Sequence, residues 1–202
     1  MNISSYKFDK FEGRIECYDG MPTKRIMIVD DEASILKSAE RCLSYGNYDI
    51  TSFQSPREAL KSAHHYAYDL IISDQRMPCM SGTELLIEIS AIQPQCVGVI
   101  LSGFSDSSTL LEAINQAHIY QFVCKPWVNS DLKHIVEKAL DYGEQLAETQ
   151  RLADRARVNS GAMTKHRAQL RELEARYPGI TQVERDENGA IILTPNRRKR
   201  AE

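Results

Sequence analysis

LIISDQRMPCMSG, residues 70–82, is a β-branched run that stops at a carboxylate, Asp74, and passes into a loop holding a proline and a glycine. A run that is apolar throughout, rather than alternating, suits a strand buried on both faces of a parallel sheet. An earlier run, IMIV at 26–29, ends in the same way on Asp30, Asp31 and Glu32, and a later one, FVC at 122–124, is closed by Lys125 and Pro126. In an open α/β sheet, functional residues gather just beyond the carboxyl ends of the strands. Two carboxylates about 4 Å apart repel by roughly 4 kcal/mol at an effective dielectric near 20, so three together require a divalent cation, a lysine or a bound proton. Lys125 is the lysine this chain offers.

Outward from these strands, apolar runs alternate with amphipathic stretches. A strand over Arg25–Val29 is followed by Ile35, Leu36, Ala39, Cys42 and Leu43, spaced for one helix face and ending near Gly46. Asp49–Phe53 predicts a second strand, and Ser55 with Pro56 a helix start, since serine caps well and proline suits the first helical position. The third strand, Asp69–Ser73, leads to a helix over about 81–92, stopped by Pro94. Strand four is expected over Val97–Leu101, helix four over about Ser105–Ala117, strand five over Tyr120–Cys124, and helix five from Asn129 or Ser130. Five such units predict an α/β fold with a doubly wound parallel sheet.

Composition narrows the function classes. The chain has 202 residues, 42% of them hydrophobic, enough for one domain of ordinary size and something smaller. A net charge of −3 argues against a broadly basic nucleic-acid surface. Five cysteines (Cys17, Cys42, Cys79, Cys96, Cys124) are scattered, with no CxxC pair and no metal-ligand histidine nearby, which reads as reduced thiols in a cytosolic protein. The opening MNISSYKFDKFEG lacks an apolar signal region, and no apolar run is long enough to span a bilayer, so secretion and membrane insertion are not expected. The His64–His65 pair falls on the second helix, away from the acids, and reads as surface.

Past Gly143 the pattern changes. Leu132, Ala139, Leu146 and Ala153 recur every seven residues, as do Ile135, Tyr142, Thr149 and Ala156, so helix five is expected to run on and pair with another helix. Alanine and threonine make that a weak seam. Asn159, Ser160 and Gly161 interrupt it, a second helix spans about 163–176, and Pro178 with Gly179 terminates it. Around Glu187, Asn188 and Gly189 the residues alternate loosely, predicting a short β-hairpin, and Arg197, Arg198, Lys199 and Arg200 close the chain as a solvated basic tail. The domain division is thus an N-terminal extension of unassigned role over 1–22, a main domain over 23–143, a helical or coiled-coil extension over 144–177, and a hairpin with basic tail over 178–202.

Asp30 and Asp31 after strand one, Asp74 within DQRMPCMSG, Ser102 within VILSG after strand four, and Lys125 with Pro126 after strand five appear in order at successive strand ends. In this the chain resembles the receiver domain of two-component response regulators, over roughly Thr23 to Gly143. The resemblance implies a five-stranded flavodoxin-like sheet of order 2-1-3-4-5. It implies that Asp74 accepts a phosphoryl group from a sensor histidine kinase or a phosphotransfer protein, and that a Mg²⁺ ion is held by Asp31 directly, Asp30 through water, Asp74 and the backbone carbonyl of Arg76. Magnesium prefers octahedral oxygen ligands and keeps several waters. Lys125, beside a proline that in such domains often follows a cis peptide, would pair with one phosphoryl oxygen, and Ser102 would donate its hydroxyl to another.

Switching, by the same resemblance, moves Ser102 toward the phosphoryl group while an aromatic on strand five turns inward. Spacing from Lys125 gives that place to Phe122, with Tyr120 as its neighbour; a phenylalanine would switch on packing alone. The moving face, built from the fourth helix, fifth strand and fifth helix, is one that receivers use to dimerise. Arg76 and Phe104, large residues two positions after Asp74 and Ser102, would slow hydrolysis of the aspartyl phosphate. The expected output is a homodimer or a downstream protein docked through the C-terminal helix, in a cytoplasmic protein that is a signalling phosphoacceptor and not an enzyme. A helix-turn-helix would need two or three well-patterned helices and a basic recognition face, and Gly143–Glu202 offers a weak heptad, a helix and a hairpin, although DNA binding through Arg151, Arg155, Arg157, Lys165, Arg167 and Arg171 is the competing reading. A haloacid-dehalogenase-type phosphatase would need an aspartate where Glu32 stands.

Overall fold

The computed structural model describes residues 23–103, 119–178 and 180. Five parallel strands, β1 (Lys24–Val29), β2 (Tyr48–Phe53), β3 (Leu70–Asp74), β4 (Val97–Ser102) and β5 (Ile119–Cys124), form one sheet in the order β2-β1-β3-β4-β5. The helices are α1 (Ala33–Leu43), α2 (Pro56–Ala63), α3 (Gly82–Ile92), α4 (Asn129–Asn159) and α5 (Lys165–Arg176). Strand order and element sequence agree with the doubly wound expectation, with boundaries shifted by a residue or two. The expected helix over 105–117, the N-terminal extension over 1–22 and the hairpin and basic tail beyond 180 lie outside the described residues.

Why these strands pair in parallel is visible in their burial. Every residue of β3 and β4 is buried, so both faces need apolar cover. Ile26 and Ile28 of β1 meet Leu36, Ala39 and Leu43 of α1 and Leu132, Val136 and Ala139 of α4 on one face. Met27 and Val29 meet Ala59 of α2 and Leu85, Leu86 and Ile89 of α3 on the other. Helix α3 starts on a capping box, with Ser81 and Glu84 satisfying each other's backbone N–H groups. The edge strands β2 and β5 are only partly covered.

One departure from strand alternation matters for the site. The β4–β5 register passes from Gly98↔Ile119 to Val99↔Gln121, so Tyr120 is an extra residue, a β-bulge. Beyond it Phe122 pairs with Ile100 and packs on the α2/α3 face, together with Ile119, while Tyr120 lies on the α1/α4 face with its ring 5.5 Å from that of Tyr142. The two aromatics that spacing alone treats as neighbours therefore belong to opposite sides of the sheet.

The loop after β3 is held by close backbone contact. Gln75 N–H donates to the Leu101 carbonyl (2.9 Å) and Gly82 N–H to the Gln75 carbonyl (3.2 Å). A Cβ on Gly82 would sit 2.1 Å from the Asp74 carbonyl oxygen, so α3 approaches the strand end only because this residue has no side chain. Gly82→Ala is expected to destabilise the protein by about 1–3 kcal/mol through overpacking, measurable as a lowered urea midpoint. In the same loop Cys79 is exposed with φ at 73°. A left-handed backbone costs a non-glycine residue roughly 1–2 kcal/mol, so Cys79→Gly is expected to raise the urea midpoint.

Candidate functional site

Parallel register brings the carboxyl ends of β1, β3, β4 and β5 to one edge of the sheet, and the polar residues gathered there are buried. Asp30 is 0% exposed, Asp74 7% and Ser102 4%. Lys125 reaches between the two acids: its Nζ lies 2.6 Å from Asp30 Oδ2 and 2.5 Å from Asp74 Oδ1. Its own backbone N–H donates to the Ser102 carbonyl (2.8 Å), and the Lys125–Pro126 peptide is cis. The second oxygen of each carboxylate is occupied from the following turn, Asp30 Oδ1 by Glu32 N–H at 2.9 Å and Asp74 Oδ2 by Arg76 N–H at 2.6 Å.

Electrostatics follow from this packing. Burial holds the Asp30 carboxyl above its ordinary range, and the neighbouring charge of Asp74 adds to that, more than offsetting the hydrogen bonds from Lys125 and Glu32. For Lys125 burial works downward, yet the hydrogen bonds and charges of Asp30 and Asp74 outweigh it and its pKa is raised. The ammonium is therefore charged throughout the neutral range, and the cluster is two acids held by one cation. Removing Lys125, which would leave both buried carboxylates without a counter-charge, is the costly change, typically about 3–5 kcal/mol for a broken buried pair.

Of the residues expected here, Asp30, Asp74, Ser102 and Lys125 converge. Asp31 remains exposed at the rim, where its carbonyl accepts from Gln54 Nε2 (3.2 Å). Arg76 is exposed, and its backbone N–H contacts Asp74. Phe122 is half-buried against the α2/α3 cluster, and Phe104 lies outside the described residues. The roles of Glu32 and Gln75, exerted through their backbone N–H groups, carry no side-chain signature in the sequence, whereas Gly82 is legible there as the backbone turn that supports the site.

Whether the donors suit magnesium is a question of chemistry and number. The described residues contain no group of three histidine, cysteine, aspartate or glutamate side chains placed to hold a metal by themselves. Magnesium is usually bound by one or two carboxylates and several waters, and Asp30 and Asp74 are both hard oxygen donors at one edge. The oxygen set fits that ion, with Asp31 and the Arg76 carbonyl next in the chain.

A family model described as the response regulator receiver domain matches residues 26–137. The chain is 32% identical over 116 residues to the hydrogenase transcriptional regulatory protein HoxA of Cupriavidus necator, covering 57% of this chain and 24% of that protein. It is 28% identical over 120 residues to the DNA-binding transcriptional regulator NtrC of Escherichia coli, covering 59% and 25%. Among solved structures, a CheY-like response regulator receiver domain protein from Methanospirillum hungatei superposes with a TM-score of 0.58 at 27% identity, covering 61% of this chain and 98% of that one. The chain thus spans about a quarter of the length of these curated relatives.

Replacing Asp30 by asparagine tests the electrostatic account. A carboxyl whose folded pKa exceeds its unfolded value makes the fold less stable as pH rises through that window, and the penalty is complete above it. Asp30→Asn, which removes the penalty and leaves Lys125 paired with Asp74, is expected to raise the thermal midpoint at pH 7 by about 3 °C per kcal/mol relieved. The gain should vanish below pH 3.8, the ordinary carboxyl value, and a lower midpoint at pH 7 would contradict this account.

Proposed function

Since the chain belongs to the response regulator receiver domain family, we propose that Asp74 is the phosphoacceptor of a two-component switch, phosphorylated by a sensor histidine kinase or a phosphotransfer protein. The observation carrying this reading is the buried Asp30–Lys125–Asp74 cluster at the carboxyl edge of the sheet. A carboxylate oxygen of Asp74 attacks the phosphorus of a phosphohistidine, the P–N bond breaks, and the imidazole leaves with the electron pair, so the product is an acyl phosphate. Lys125, already within contact of Asp74, pairs with an oxygen of the transferred group as a compact point charge. Ser102, buried at the end of β4, donates its hydroxyl to another. Mg²⁺, held by Asp74, Asp30, Asp31 and the Arg76 carbonyl, would supply positive charge against the phosphoryl oxygens.

The signal leaves the site through Ser102, at the end of β4, and Phe122, two residues before the end of the paired strand β5. Phosphorylation biases an existing equilibrium of this region rather than creating a fold, and the readout is association, with a second copy or with a downstream protein. The protein acts as a phosphoacceptor, not a turnover enzyme. No described helix is long and apolar enough to cross a membrane, and a kinase-facing switch of this kind works in the cytoplasm. The expectation that nucleic acid is no partner finds no support, because regulators named as DNA-binding carry the same kind of domain. Within this chain, however, Arg151 pairs with Glu148, and Arg157 and Arg171 share Asp154, which reduces the free positive charge of the C-terminal helices.

Incubation of the full chain with Mg²⁺ and acetyl phosphate, read by intact mass, is expected to add one phosphoryl group to the native protein and none to Asp74→Asn or in the presence of EDTA. Equal addition to Asp74→Asn refutes the assignment. With Arg76 and Phe104 flanking the site, decay of the adduct is expected over minutes or longer; a half-life of seconds counts against their gating role.

A further inference from the structure

Helix α4 runs for 31 residues, and only its first part is anchored. Where it leaves the domain, three contacts hold it to the sheet: the Tyr142 ring lies 5.5 Å from that of Tyr120, Gly143 passes against Val97, and Glu144 pairs with Lys24 at 2.7 Å. Leu146 still packs on the core. From Asp141 to Tyr177 no residue is buried, and Pro178, just past α5, is the next that is. The first arm of the C-terminal hairpin is thus fixed at its base, and the second arm has no core of its own.

Residues 160–164 make the turn between the arms. Gly161 takes φ of +74° with nothing within 4 Å of the place a Cβ would occupy. Met163 N–H donates to the Arg157 carbonyl (3.0 Å), and Thr164 caps α5 by accepting from Arg167 N–H (3.3 Å). A turn closed by local hydrogen bonds, with open space around its left-handed residue, has the character of a joint.

Across the hairpin the arms meet through charge. Asp154, its side chain 13% exposed, accepts at Oδ1 from Gln150 (3.1 Å) and Arg157 (3.0 Å) of its own helix and from Arg171 (3.2 Å) of α5. Burial pushes its carboxyl up, but the hydrogen bonds from Gln150 and Arg157 and the two arginine charges outweigh this, and its pKa is lowered. Arg171 is half-exposed, so salt screens the pair, and a pair of this kind contributes little. Closure is therefore a near balance.

We propose that α5 is a strap, hinged at Gly161 and latched to the fixed arm α4 by the Asp154–Arg171 pair, so that the C-terminal hairpin opens and closes in response to ionic strength. Opening breaks no core within α5, because none of its residues is buried, and elements that move are drawn from such regions of low local stability. The latch uses no residue of the Asp30–Lys125–Asp74 site, and its test does not depend on phosphoryl loading.

Hydrogen exchange of the full chain, read by mass spectrometry, follows the strap directly. Peptides covering 165–176 should exchange faster than those covering β3 and β4, and faster still when salt is raised from about 0.05 to about 0.5 M, which shortens the screening length roughly three-fold. Arg171→Ala and Asp154→Ala are each expected to speed exchange over α5 about two- to five-fold at low salt, to abolish its salt dependence, and together to do no more than either alone. Alanine is the better helix former, so faster exchange is not lost helix propensity. Gly161→Ala, strained at a positive φ, should speed the same peptides with the latch pair intact. Arg151→Ala, which removes only the pair with Glu148 within α4, should leave α5 unchanged. The proposal is overturned if α5 ignores salt and these substitutions, if the Asp154 and Arg171 effects add, or if β3 and β4 speed up along with it.

Discussion

One ammonium between two buried carboxylates is the constraint around which the main domain is arranged. Lys125 can reach Asp30 and Asp74 only if β1, β3 and β5 end at the same level, which the parallel register ensures, and only if the loops beyond them leave that edge clear. The cluster is expensive in isolation, since burial acts against the charged form of each member. It persists because every oxygen of the two acids is also met: Lys125 on one side, and the Glu32 and Arg76 N–H groups on the other. With both acids ionised the site already carries one negative charge in excess, and a further phosphoryl charge on Asp74 would have to redistribute the contacts of Lys125.

That balance explains why backbone geometry, rather than more side chains, completes the site. Gly82 lets α3 start against the Asp74 carbonyl, Gln75 ties the loop across to β4, and Lys125 N–H ties β5 to Ser102. The bulge at Tyr120 then shifts Phe122 to the α2/α3 face, paired with Ile100 two residues before Ser102. Hydroxyl and aromatic are thereby joined through the end of a single strand pair, the physical connection that a change at Asp74 would use.

The C-terminal helices obey a different rule. Along α4 as far as Leu146 an apolar stripe packs on the domain core; beyond it and in α5 the contacts are made by Gln150, Asp154, Arg157 and Arg171, while Leu152, Leu170 and Leu173 are exposed. A helix pair with so little buried surface gains little from its exposed ion pairs, since each contributes at most about 1 kcal/mol.

Local pattern alone determined the strands, the described helices between them and the acids and lysine at the strand ends, because fully buried parallel strands write themselves as unbroken β-branched runs; Ser102 stood out only through the family resemblance. The heptad spacing of Leu132, Ala139, Leu146 and Ala153 was equally readable, but not its use: the first three positions pack on the domain's own core, and a repeat of seven does not say what lies across from it. What tertiary structure alone decided are relations between distant segments. It decided that Lys125 bridges Asp30 and Asp74 while Asp31 stays at the rim, that a one-residue bulge parts Tyr120 from Phe122, and that Asp154 folds α5 back with its leucines outward. None of these has a local signature, because each depends on register, backbone approach or long-range charge that only the assembled chain creates.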